Sequence, residues 1–182
     1  MSKRIALGGK PEFAVALDGK LFVNLEDKSQ LARIDTVTNK ITGKFPLAPC
    51  EEPTGLAADE PHKRLIAVCS NHLAVSVDAN SGKVLGSAPI GDSTDGVAFD
   101  EQRGLALAAN GEGNISVLGF NEAGAPSLLE TVPTKKGART IAFDARTGHA
   151  LTATARLGEP DPEHKRGAVE PGTFELLVFG EK

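Results

Sequence analysis

The side chains with the most chemical potential in this sequence are acids and amides rather than nucleophiles. Glu12, Glu51, Glu52, Asp92, Asp95 and Glu112 supply carboxylates, Asn24, Asn71 and Asn110 supply amides, and Arg139 supplies a fixed positive charge. Carboxylate and amide oxygens together suit a hard cation such as Ca²⁺. They equally suit a polar ligand or a partner protein. Their spacing forms no conventional catalytic set. No serine sits in a G-x-S-x-G turn, and no glycine run leads into Lys-Ser or Lys-Thr. His62, His72, His149 and His164 share no i, i+4 spacing and no cysteine neighbour, so they read as surface histidines. No cofactor is expected beyond the Ca²⁺ that such oxygens would accept.

Cys50 and Cys69 are the only cysteines. One precedes an apolar run and the other ends the next run. If the two runs pair antiparallel, the cysteines come to the same side, within reach of a disulfide. Two buried thiols are the alternative, and a metal pair would need further ligands.

Composition excludes several classes. The chain has 182 residues and a net charge of -4, whereas a protein that tracks phosphates carries a basic face, so no nucleic-acid partner is expected. Tyr and Trp are absent, and all eight aromatics are Phe, each in or beside an apolar run, which reads as core rather than a base-stacking platform. No run approaches the length of a membrane span, and the first ten residues hold no long apolar segment. No membrane partner is therefore expected. The chain as given has no signal peptide, which fits a cytosolic protein or one whose leader has been removed.

The elements that must position these residues are repeated. The runs PEFAVALD (11–18), PTGLAAD (53–59), TDGVAFD (94–100) and ARTIAFD (138–144) end in Asp18, Asp59, Asp100 and Asp144, at spacings of 59 − 18 = 41, 100 − 59 = 41 and 144 − 100 = 44. That period suits four-stranded propeller blades. Each run alternates small residues (Ala14 and Ala16, Gly55 and Ala57, Gly96 and Ala98) with larger ones (Val15, Leu56, Val97), as an innermost strand wedged between neighbouring blades should. The recurring aspartates read as acceptors for the turns that follow them. Three further apolar runs follow in each of the first three units, separated by polar turns. The fold class is therefore all-β, a single β-propeller domain over 1–182 with four four-stranded antiparallel blades.

Three finer expectations follow. Residues 4–9, RIALGG, should act as the missing last strand of the fourth blade. Residues 156–172 form an inserted loop, a surface excursion or a binding lid. The turns entering the inner strands and those between second and third strands should share one face. That face would gather Glu12, Asn24, Cys50, Glu51, Glu52, Asn71, Asp92, Asp95, Asn110, Glu112 and Arg139 at a channel mouth.

Leu21-Phe22-Val23-Asn24, followed by Ile34-Asp35-Thr36-Val37-Thr38-Asn39-Lys40-Ile41, resembles the YVTN-type β-propeller repeat, and Val77-Asp78-Ala79-Asn80-Ser81-Gly82-Lys83-Val84 repeats the second motif. The resemblance covers nearly the whole chain. It implies a binding or scaffold propeller, often exported (periplasmic or secreted) and typically seven-bladed. With four units, the chain could close alone, pair with a second copy as an eight-bladed ring, or form part of a longer protein. Blades turn by about 90° in a four-membered ring and about 45° in an eight-membered one, so family-like packing faces favour the homodimer, with residues 4–9 of one chain closing the last blade of the other. The functional expectation is a non-catalytic protein that recognises a ligand or partner protein at the mouth. The alternative is a metal-dependent, lactonase-like hydrolase using the same acids and amides.

Overall fold

Polar turns break each apolar run after six or seven residues, and period-2 alternation lets each run pack on both faces. The result, in a computed structural model that describes residues 3–159, 162 and 167–180, is four antiparallel meanders. The first comprises β1 (Pro11–Leu17), β2 (Lys20–Leu25), β3 (Gln30–Asp35) and β4 (Lys40–Pro46). The second holds β5 (Pro53–Asp59), β6 (Arg64–Cys69), β7 (Leu73–Asp78) and β8 (Val84–Pro89). The third holds β9 (Thr94–Asp100), β10 (Leu105–Asn110), β11 (Asn114–Phe120) and β12 (Pro126–Pro133). The fourth has three strands among the described residues, β13 (Ala142–Asp144), β14 (His149–Thr154) and β15 (Glu175–Phe179). No helix among them is long and apolar enough to cross a membrane.

The first strands line up: β1 packs on β5, β5 on β9 and β9 on β13. Two apolar layers hold the stack together. Between the first two blades lie Leu17, Phe22 and Leu31 against Leu56, Leu65 and Val75. Between the second and third lie Ile66, Val68 and Ala88 against Val97, Ala106 and Leu118. Glycine allows the closest approach. A Cβ on Gly55 would sit 2.9 Å from the Asp95 carbonyl oxygen and 3.1 Å from the Gly96 Cα. A Cβ on Gly96 would meet the Ile141 nitrogen at 3.0 Å. The small positions of the inner strands are therefore small because the next blade's backbone lies against them.

The first repeat departs from the pattern. Asp18 and Gly19 form a two-residue turn with φ of 54° and 71°, whereas four residues separate Asp59 from Arg64. Asp-Gly is the pair such a tight hairpin favours, because both positions need positive φ. The last paired residue of β1 is thus Leu17, opposite Lys20. The alternation slips by one: Val15 and Leu17 face the second blade, while Ala14 and Ala16 are exposed on the far side. The expectation of one structural position for all four aspartates holds for three. Asp59 takes the His62 amide, Asp100 the Gln102 and Arg103 amides and Asp144 the Arg146 amide, but Asp18 is an exposed turn residue.

Residues 4–9 form no strand and pair with no part of the fourth sheet. They run along the free side of the first blade instead. There Lys44 Nζ donates to the Leu7 carbonyl, and the Lys10 amide donates to Asp27 Oδ1 at 2.7 Å. Within one chain the reason is geometric. The first and fourth blades are the two ends of the stack, and no packing comparable to β1 on β5 joins β1 to β13. The four sheets make an arc whose first-blade end face is covered in part by residues 4–9 and whose fourth-blade end face is open among the described residues. Phe13 and Phe174, expected in the core, lie near those ends with 45% and 74% of their surface exposed.

Candidate functional site: an acidic loop face

Because the strands antiparallel-pair in sequence order, the loops leading into β5 and β9 emerge at the same end as the β6–β7 and β10–β11 turns. Side chains and main-chain bonds lace these loops into one strip. Asn71 Oδ1 accepts from the Glu51 amide at 3.1 Å, and Asn71 Nδ2 donates to the Pro49 carbonyl at 2.8 Å. The Ser70 amide donates to the Glu51 carbonyl, and Ser29 Oγ accepts from the Glu52 amide. Next along, His72 Nδ1 lies 3.7 Å from an Asp92 carboxylate oxygen. The Asp92 carbonyl then accepts from the Glu112 amide. The carboxylates of Glu51, Glu52, Asp92 and Glu112 stay exposed along this strip.

The other expected residues divide. Glu12 is on the same face but engaged with Lys10, at 3.6 Å. Asp95 and Arg139 bond each other at 2.9 Å, and both are half-buried. Asn24 and Asn110 are wholly buried and serve the protein itself. Asn24 Nδ2 donates to the Gly55 carbonyl at 3.0 Å, tying the first blade to the second. Asn110 Oδ1 accepts from Thr94 Oγ1, and its Nδ2 donates to Ser116 Oγ at 2.9 Å. Both were expected at the rim, but neither offers surface to a ligand. Cys50 and Cys69 sit under the strip as a buried disulfide with Cα atoms 5.5 Å apart. It fastens the loop carrying Glu51 and Glu52 to the end of β6.

At the opposite end, a cleft of about 720 Å³ opens between the second and third blades. Its inner wall is Arg64, 6% exposed, bonded through Nη2 to Asp59, with its guanidinium 3.8 Å from the Phe120 ring centroid. His62 Nδ1 is 2.9 Å from the same Asp59 carboxylate. His62 is a surface histidine as expected, its side chain 67% exposed, and what the sequence did not show is its bond to Asp59, three residues before it on the turn that aspartate caps. Carboxylates, Asp78 and Glu122, line the cleft beside the cations Arg64 and Arg103, so it has no clear charge preference.

The inserted loop leaves β14 as a continued ladder. Leu157 bridges Val169, the Gly158 amide donates to the Ala168 carbonyl at 2.8 Å, and Arg156 Nε lies 3.2 Å from Glu170. His164 lies outside the described residues. A cavity of about 500 Å³ beside the ladder is lined by Lys135, Lys136, Arg156 and Glu170.

No family model and no curated protein matches the chain. Solved structures do. Kuenenia stuttgartiensis hydrazine synthase is similar over 90% of this chain and 47% of its own, at 15% identity and a TM-score of 0.70. The β-propeller domain of Myceliophteria thermophila Cps50 (Swd1) is similar over 92% of this chain and 56% of its own, at 17% identity and a TM-score of 0.66. The WD40 β-propeller domain of Doa1 is similar over 78% of this chain and 47% of its own, at 13% identity and a TM-score of 0.61. The fold is a β-propeller fold. The chain spans about half the length of the solved structures it matches.

Proposed function

We propose that this protein is a non-catalytic binding scaffold whose acidic loop face recognises a basic segment of a partner protein. The observation that carries the reading is the strip itself, in which Glu51, Glu52, Asp92 and Glu112 stay exposed while Asn71 and main-chain bonds hold their loops in place. Carboxylates fixed on a preorganised backbone attract lysine and arginine with little ordering cost. The likeness to the WD40 β-propeller domain of Doa1 is consistent with a scaffold role. The metal-dependent hydrolase is the weaker reading, because two of its three amides, Asn24 and Asn110, are buried and bonded within the protein, and Asn71 is bonded to the Glu51 amide and the Pro49 carbonyl.

The YVTN-type assignment belongs to this reading and rests on the recurring motif. In both copies the Asp caps the turn it opens. Asp35 Oδ1 accepts from the Thr38 amide at 2.7 Å, and Asp78 Oδ1 accepts from the Ser81 amide at 2.7 Å. The disulfide supports an oxidising compartment, periplasmic or secreted.

The test is calorimetric titration of the whole chain with a lysine-rich peptide at two salt concentrations. Binding should weaken at the higher salt, and E51Q/E52Q should weaken it about tenfold. Binding unaffected by E51Q/E52Q, or none at low salt, would refute the reading. A Ca²⁺ titration followed by thermal melting checks the alternative, which requires a rise in Tm.

A further inference from the structure

We infer that the uncovered face of the fourth blade docks a second copy of this chain, whose residues 4–9 become that blade's fourth strand, so that two arcs close one ring. This rests on the binding reading above only in that it completes the face on which the acidic strip lies.

The evidence begins with register. Leu151 pairs with Val178, Ala153 with Leu176 and Ala142 with Leu151, so these side chains share one side of the sheet. Ala150, Thr152 and Thr154 point to the other side and are buried toward the third blade. The shared side is therefore the free one, and Leu176 and Val178 are 65% and 54% exposed there. It repeats a face that is buried elsewhere in the same molecule. Ala57 pairs with Ile66, and Val68 with Ala74, on the side of the second blade that packs against the third.

The other end of the arc supplies the matching surface. On the first blade, Ala14, Ala16 and Leu21 lie on the side away from the second blade. That is the side by which Leu56, Ala58 and Leu65 of the second blade meet the first. Joining the fourth blade of one copy to the first blade of another would thus reuse the internal contact. The matched propeller chains are longer than this one, and this chain aligns with 47%, 47% and 56% of them, so one arc accounts for about half of such a propeller and a second arc supplies blades for the rest.

The strand exchange follows from where residues 4–9 lie. They run along the free side of the first blade, which in the pair becomes the seam facing the partner's fourth blade. β15 has one paired edge, to β14, and its other edge is open among the described residues. Ile5 and Leu7 alternate with polar or small neighbours, as a strand laid on that edge requires. A backbone edge left bare is a template for pairing, and a copy of the same chain carries the segment that fits it.

Light scattering on the full chain at micromolar concentration should give twice the chain mass of 18.9 kDa. L176D/V178D should run as a folded single chain with an unchanged far-ultraviolet spectrum, because both side chains are exposed in one copy. Deleting residues 2–9 should weaken self-association at least tenfold. A wild-type monomer at that concentration, a dimer that survives L176D/V178D, or a deletion without effect on dimer affinity would each overturn the proposal. A monomer that still binds the lysine-rich peptide would sink the ring and leave the binding reading. A dimer that ignores the peptide would do the reverse.

Discussion

Arg64 reaches from the second blade to lay its guanidinium 3.8 Å from the ring centroid of Phe120 in the third. The arrangement only works with Asp59 behind it. That carboxylate is wholly buried and bonded to Arg64 Nη2, so the cation is neutralised where it leaves solvent. A buried ion pair of this kind is a weak source of stability when intact, but removing one partner strands the other.

Asp59→Ala should therefore cost about 3–5 kcal/mol, through the uncompensated Arg64. Asp18→Asn should be close to neutral, because Asp18 is exposed in a turn that Asn suits equally well. Urea unfolding of the two variants checks this. Equal midpoints would show that the aspartates share one role after all.

Stability should fall with acid below the ordinary carboxylate range. Hydrogen bonds from the Ser81 hydroxyl and then the Ser81 amide hold the Asp78 carboxyl below its usual 3.8, and the Thr38 amide and hydroxyl do the same for Asp35. A group depressed in the folded state stabilises at pH values above its unfolded pKa, and that contribution is lost as pH falls through the folded value. In D35N/D78N the drop in Tm between about pH 5 and pH 2 should be shallower than in the wild type. Parallel curves would contradict the capping role.

Gly96→Val should destabilise by about 1–3 kcal/mol or more, since even a Cβ there meets the Ile141 nitrogen at 3.0 Å. Gly104→Ala, with φ of 67° but no atom within 4 Å of the added Cβ, should cost only the backbone term of about 1 kcal/mol. Thermal melts of both variants separate crowding from conformational strain.

The disulfide closes a loop with a sequence separation of 19 residues. Reduction, or Cys50→Ala with Cys69→Ala, should lower stability by about 3 kcal/mol. It should also loosen the loop carrying Glu51 and Glu52, which amide exchange on that loop would report. Unchanged exchange there would mean that the Asn71, Ser29 and Ser70 hydrogen bonds hold it without the disulfide.

Much of the architecture was legible because repetition multiplies weak signals. One alternating run says little, but four runs ending in aspartate about forty residues apart specify a blade array. What failed to read through was local. The short Asp18-Gly19 turn slips the alternation by one, which alignment of the aspartates conceals. At the loop face, Glu51, Glu52 and Glu112 were legible as charge. Asn24 and Asn110 were not legible as tethers, because an amide bonded to a neighbouring strand looks in sequence like an amide awaiting a ligand. The Arg64–Phe120 contact spans two repeats, and no spacing within either one encodes it.

The arc's two unlike ends carry one more consequence. A head-to-tail joint sets no limit on how many copies it can add; only the total rotation does. If successive blades turn by about 45°, the second copy meets the first and addition stops. A tilt of a few degrees at any blade seam would instead carry the third copy past the first and start a spiral polymer. Substitutions deep in the seams, far from either tip, should then reveal themselves first as turbidity rather than as unfolding.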